Sequence, residues 1–101
     1  MSPRLSADAE RDLAEIYAWI HADAPAAAER FLDAFRRVLN LLSEHPYIGR
    51  RRQFRVQGLR SWRIKGCENY LVFYRPSGPE LLVVRALHGA RDLRSIFQGE
   101  R

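Results

Sequence analysis

Seven side chains in the C-terminal half have the types and spacing that chemistry requires: Arg60, Arg63, Lys65, Arg85, His88, Arg91 and Arg94. Arg63 and Lys65 alternate with Trp62 and Ile64, so on a strand they project to one face while the apolar pair fills the other. Arg85 interrupts the most apolar run of the chain, Leu81 to Leu87. A charge there must pair with an acid on another element (Asp12 or Glu15 would serve), sit solvated at a cleft, or be functional. Three residues later stands His88, the side chain best suited to exchange a proton near neutral pH, or else a packing and capping residue at a strand end. Arg91 and Arg94 follow one helical turn apart. Arginines beside a histidine can hold RNA phosphates and protonate a leaving oxygen. They can equally bind a carboxylate-rich protein surface.

Other chemistries lack their residues. His21, His45 and His88 have no ligand spacing, and a single cysteine makes no zinc site, so neither a metal nor a cofactor is expected. There is no glycine-rich phosphate loop and no nucleophile elbow. Cys67 falls in an expected hairpin turn next to Lys65, which would lower its pKa modestly. A catalytic thiol also needs a base and an orienting partner, and the sequence offers neither.

Charge is divided unevenly. Residues 1–49 carry five Arg against eight Asp or Glu, a balance of −3, whereas residues 50–101 carry eleven Arg and Lys65 against four acids, a balance of +8. Such a half suits a polyanion or an acidic protein, with a solvated charged face as the plainer alternative. At 101 residues and 47% hydrophobic, one domain with a real core is expected over 1–101, which excludes a disordered chain. No apolar run approaches the roughly 18 residues of a membrane span, and the N-terminus lacks a secretory core, so a cytoplasmic protein is expected.

The elements that must position these residues follow from periodicity. Ser6 is a good N-cap, and Ala9, Leu13, Ile16 and Ile20 recur at helical spacing with Tyr17 and Trp19 on the flanks, predicting a helix over 6–22. Pro25 suits the first turn of a second helix over 25–44, with Ala28, Phe31, Leu32, Phe35, Val38, Leu39 and Leu42 as its apolar face. Leu13, Ile16, Phe31, Phe35 and Leu39 are expected to be mostly buried. Arg50-Arg51-Arg52 reads as an exposed loop. Strands follow near 59–65, 69–75 and 80–87, separated by turn residues too few for a parallel crossover, so they pair antiparallel and the last lies inside the sheet. Ala90 to Phe97 can form a short closing helix. The fold class expected is α+β, two layers, a helical hairpin on a small antiparallel sheet.

The ordered set Leu5…Ala9…Asp12-Leu13…Ile16, Pro25…Ala28…Phe31, Leu41-Leu42…His45-Pro46…Ile48-Gly49-Arg50, Gly58-Leu59-Arg60, Tyr70 to Arg75 and Val84 to Asp92 resembles the RelE/ParE superfamily of type II toxin–antitoxin toxins, in its ParE-like branch. The likeness spans essentially the whole chain and is most specific in Val84-Arg85-Ala86-Leu87-His88-Gly89-Ala90-Arg91-Asp92. It implies the compact RelE-like fold, with a short extra strand at Pro3 to Leu5. ParE-like members imply a plasmid-stabilisation type of toxin that poisons DNA gyrase and is neutralised by a ParD-like antitoxin, without turnover of its own. Arg60, Arg63, Arg85, His88, Arg91 and Arg94 are then the candidate contacts to target or antitoxin. RelE-like members are ribosome-dependent mRNA endonucleases, and under that alternative Arg63, Lys65, Arg85 and His88 are the candidate catalytic set. The chain has no Tyr after Tyr74, so the C-terminal tyrosine of several ribonuclease members is missing. A non-catalytic nucleic-acid-binding domain is the third reading of the same basic half.

Overall fold

The computed structural model describes residues 1–98. The chain forms β1 (Ser2–Leu5), α1 (Ala7–Asp23), α2 (Pro25–Glu44), β2 (Arg50–Arg51), β3 (Arg60–Ile64), β4 (Cys67–Ser77), β5 (Glu80–His88) and α3 (Leu93–Gln98). The sheet order is β1-β5-β4-β3-β2. β3, β4 and β5 form the expected antiparallel meander, β2 adds a fourth antiparallel strand at its edge, and β1 joins β5 in parallel, so the sheet is mixed. The helical hairpin between β1 and the rest of the chain provides the long connection that a parallel neighbour requires.

Ser6 links helix and sheet. Its Oγ accepts from the Ala9 N–H at 3.0 Å, capping α1, and donates to the Val84 carbonyl at 2.7 Å. Its own N–H donates to Val83 O at 2.9 Å. The hairpin turn needs only Ala24, because Pro25 starts α2 at a position where its missing N–H leaves nothing unsatisfied. The helices pack their apolar stripes on one sheet face, where Phe31, Phe35, Val38, Leu42, Ile64, Val72, Tyr74, Leu81 and Val83 form the main core. Phe31 and Phe35 are buried as expected, but Leu13, Ile16 and Leu39 are only half-buried. A two-helix layer covers the sheet without anything above it, so residues on the flank of each stripe stay partly open.

The second face is not left bare. Alternation along β4 sends Leu71 and Phe73 there, where they meet Leu59, Leu87 and Phe97, with Phe54 and Val56 from the 52–59 segment packed alongside. The Phe97 ring sits 4.7 Å from that of Phe73 and 5.4 Å from that of Phe54. The expected closing helix, α3, thus covers a small second core on the sheet face opposite the hairpin. It begins at Leu93 rather than Ala90 because Asp92 is its N-terminal acceptor, receiving bonds from the Ser95 N–H (3.3 Å) and Oγ (2.7 Å).

The arginine run also departs from the expected loop. Arg50 and Arg51 pair with Ser61 and Arg60 as the edge strand β2. Arg52 is half-buried: its Nε donates to Ser61 Oγ at 2.8 Å and its guanidinium lies over the Phe73 ring, 5.6 Å from the centroid. A guanidinium can lie flat on an aromatic face, and this gives a charged residue a place in the second core.

Candidate functional site

Each of the seven residues has a definite place. Arg85 lies next to a β-bulge, where the β4–β5 register shifts between Phe73–Arg85 and Tyr74–Val83 and leaves Val84 unpaired. Its Nε and Nη2 donate to Asp12 Oδ2 and Oδ1 at 2.7 and 2.9 Å, a two-pronged ion pair to α1. Asp12 Oδ2 also accepts from the Ala86 N–H at 3.0 Å. Beyond Val83 the short β1 no longer covers β5, so this carboxylate satisfies a strand-edge amide that would otherwise be orphaned. The Asp12 bond raises the Arg85 pKa further, against the opposing effect of burial. Of the openings left for Arg85, pairing with a helix acid is the one realised, and the acid is Asp12.

His88 ends β5. Its Nδ1 accepts from the Ala90 N–H at 3.0 Å, so a proton on the neutral ring belongs on Nε2. The ring meets Tyr70 edge-on at 5.3 Å. A cavity of about 310 Å³ beside it is lined by Glu15, Ile16, Trp19, Tyr70 and Arg91, with Asp12 at its floor. Arg91 is exposed on this rim, and its N–H donates to His88 O at 3.0 Å. Arg94 is exposed on α3.

Arg60 is a structural clamp. Its Nη1 donates to the carbonyls of Tyr47 (3.0 Å) and Gly49 (2.9 Å), and its guanidinium lies 5.3 Å from the Tyr47 ring centroid. Tyr74 holds the same segment from below, donating to Pro46 O at 2.9 Å and accepting from the Gly49 N–H at 3.0 Å. A Cβ on Gly49 would run into the Tyr74 hydroxyl, so no larger residue fits there without displacing that ring.

Arg63 and Lys65 are exposed at the far end of β3, as the alternation predicts. Arg63 Nη1 donates to Glu68 O at 2.8 Å. Both line a largely apolar cavity of about 650 Å³ between α2 and β3, with Ala34, Val38, Leu41 and Trp62. The four candidate catalytic residues are therefore not gathered in one cavity. Arg63 and Lys65 stand at β3, His88 is across β4 near α1, and Arg85 is engaged by Asp12.

Cys67 corrects another expectation. It opens β4, opposite Ile64, while the turn itself is Lys65-Gly66. Burial pushes the thiol pKa up and Glu68 adds to the rise, outweighing Arg30. Among the described residues no group of three or more His, Cys, Asp or Glu could hold a metal ion. No described helix is long and apolar enough to cross a membrane. Sequence reasoning missed Arg52 and Ser61, because a run of three arginines carries no sign that the last turns inward.

The fold is a small α+β scaffold, two helices on a five-stranded mixed sheet with a short C-terminal helix. Residues 4–93 match the family model described as ParE toxin of type II toxin–antitoxin system, parDE, and the chain belongs to that family. It is 30% identical over 88 residues to Toxin RelE3 of Caulobacter vibrioides, a match covering 86% of this chain and 92% of that protein. In fold it is similar to a chain of the chromosomal ParDE system from P. aeruginosa, with a TM-score of 0.72 and 21% identity over 87% of this chain and 95% of that one.

Proposed function

We propose that this ParE-family toxin acts in the cytoplasm by binding and poisoning DNA gyrase, and that a ParD-like antitoxin neutralises it. The observation that carries the reading is the Arg85–Asp12 pair. A guanidinium held at 2.7 and 2.9 Å by a nearly buried carboxylate is already neutralised and aimed at α1, not at a substrate. His88 has one ring nitrogen occupied by the Ala90 amide, and Arg63 and Lys65 border a different cavity. A proton donor and its stabilising cations must converge on one reacting atom, and these do not. A protein acting as a wedge needs only a shaped surface. A mostly apolar cavity between α2 and β3, lined by Arg37, Arg63 and Lys65 against the single carboxylate of Glu68, suits an acidic amphipathic antitoxin segment that orders on binding.

The second reading, ribosome-dependent mRNA cleavage, draws on the relative named Toxin RelE3. His88→Gln separates the two. Under the gyrase reading this variant stays toxic when induced without antitoxin, and the purified protein cleaves no message on translating ribosomes. Under the alternative, cleavage falls about 10²–10⁴-fold with His88→Gln. Wild-type inhibition of supercoiling by purified gyrase, with message intact, is the expected result. Codon-specific cleavage that disappears in the variant would replace the proposal with its rival.

A further inference from the structure

Between Glu44 and Glu68 the chain holds Arg50, Arg51, Arg52, Arg55, Arg60, Arg63 and Lys65, and not one acidic residue. The fold concentrates part of this tract around one concavity. On the sheet face away from the helices, a cavity of about 380 Å³ is lined by Arg50, Arg52, Ser61 and Arg63 together with the apolar Ile48 and Leu71, and it reaches the edge of Trp62. No carboxylate lines it. The ion pairs found among the described residues join Arg4, Arg11, Arg36 and Arg85 to acids, and none involves the three arginines of this cavity. Arg52 is fixed in place by Ser61 Oγ and the Phe73 ring, so one guanidinium is oriented before any ligand arrives. Burial, with the nearby charges of Arg50 and Arg63, pushes the Arg52 pKa below the ordinary arginine value. Like charges crowded without a counterion raise the energy of the free protein, and an anion seated among them relieves it.

We infer that the Arg50–Arg52–Ser61–Arg63 cavity is a phosphate-binding site that seats the sugar–phosphate backbone of a nucleic acid. Guanidinium forks match phosphate oxygens, and the hydroxyl adds a further polar contact. Three guanidinium groups of one sign around one cavity suit a polymer carrying a charge on every residue better than one carboxylate. The apolar lining by Ile48 and Leu71 suits the sugar. DNA is the expected source, and that assignment rests on the gyrase reading: a toxin bound to that enzyme would also touch the DNA the enzyme holds.

The test is direct titration of the full-length protein with a fluorescent 20-base-pair DNA duplex, an RNA strand of equal length, and poly-glutamate, without gyrase present. Arg50→Gln/Arg63→Gln removes two exposed charges with little risk to folding, which circular dichroism would check. Arg11→Gln/Arg36→Gln removes the same charge from the helix hairpin. We expect saturable duplex binding whose log–log salt slope is about −0.9 per phosphate engaged. The cavity double variant should bind about tenfold or more weakly and lose roughly one unit of slope per arginine. The helix double variant should bind like wild type. Equal losses in both doubles would mean that net charge alone is at work and would overturn the site. Tighter binding of poly-glutamate would transfer the surface to an acidic protein, and binding of RNA but not DNA would overturn the DNA assignment. Wild-type poisoning of gyrase without any DNA binding would remove this inference and leave the proposed function standing. DNA binding through the cavity without gyrase inhibition would do the reverse.

Discussion

Two arginine sites on one small sheet have opposite electrostatic fates. On β5, Arg85 faces a carboxylate that takes both prongs of its guanidinium and also satisfies a strand-edge amide. At the other edge, Arg50, Arg52 and Arg63 surround a cavity that has a hydroxyl and aromatic neighbours but no acid. The first site is closed on itself and stabilises the fold. The second leaves its charge available for a ligand. The contrast teaches that an arginine's role is set by what faces it, since Arg85 stands in the more apolar segment and is nonetheless the less available of the two.

The largest effect should come from breaking the closed site. Asp12→Ala leaves Arg85 half-buried without its partner and the Ala86 amide without an acceptor, and should cost about 3–5 kcal/mol in urea denaturation. Asp12→Leu combined with Arg85→Met should recover much of that loss, because two apolar groups need no compensation. If Asp12→Ala costs less than about 1 kcal/mol, the ion pair is not the anchor described above. The open site should behave in the opposite way. Arg50→Gln/Arg63→Gln should leave stability within about 0.5 kcal/mol of wild type, on the stable side at low salt, since it relieves repulsion and breaks no ion pair. A clear loss of melting temperature would show these arginines to be structural too.

The smallest effect concerns α3, which closes the second core beneath the open site. Bonds from the Ser95 hydroxyl and amide hold the Asp92 carboxyl below its ordinary range. A carboxyl with a depressed folded pKa contributes its stability above the unfolded value of about 3.9, and that contribution is lost as pH falls through the lower folded value. NMR shifts of residues 93–97 should therefore move at acid pH before the sheet does. Asp92→Asn should flatten that acid response, and an unchanged profile in the variant would assign it to another group.

Much of this was legible along the chain. Both helices, their apolar faces and the three-stranded antiparallel meander follow from spacing and turn residues, and one charge in an apolar run already points to a helix acid, Asp12 or Glu15, as a partner for Arg85. Less legible were features with no local signal. β2 is two residues long and exposed, so its pairing left no alternation to see. The inward turn of Arg52 depends on Phe73 and Ser61, on two other strands. The half-burial of Leu13, Ile16 and Leu39 depends on how much a two-helix layer can cover. Cys67 was placed in the turn beside a lysine, but its surroundings are set by burial against the core and by Glu68.

By itself the sequence determined the order of the two long helices and the three longer strands, the +8 basic half, the acid-free stretch between Glu44 and Glu68, and the toxin-family resemblance that the family match then bore out. These are properties of composition, period and local turn chemistry, and a chain carries them whether folded or not. Tertiary structure alone decided which arginines are neutralised. Asp12 and Arg85 are 73 residues apart, and only the docking of α1 over the uncovered edge of β5 brings them to 2.7 Å. Coulomb energy falls with distance and with solvent exposure, so charges that are remote along the chain acquire a partner, or remain without one, only when packing sets both quantities.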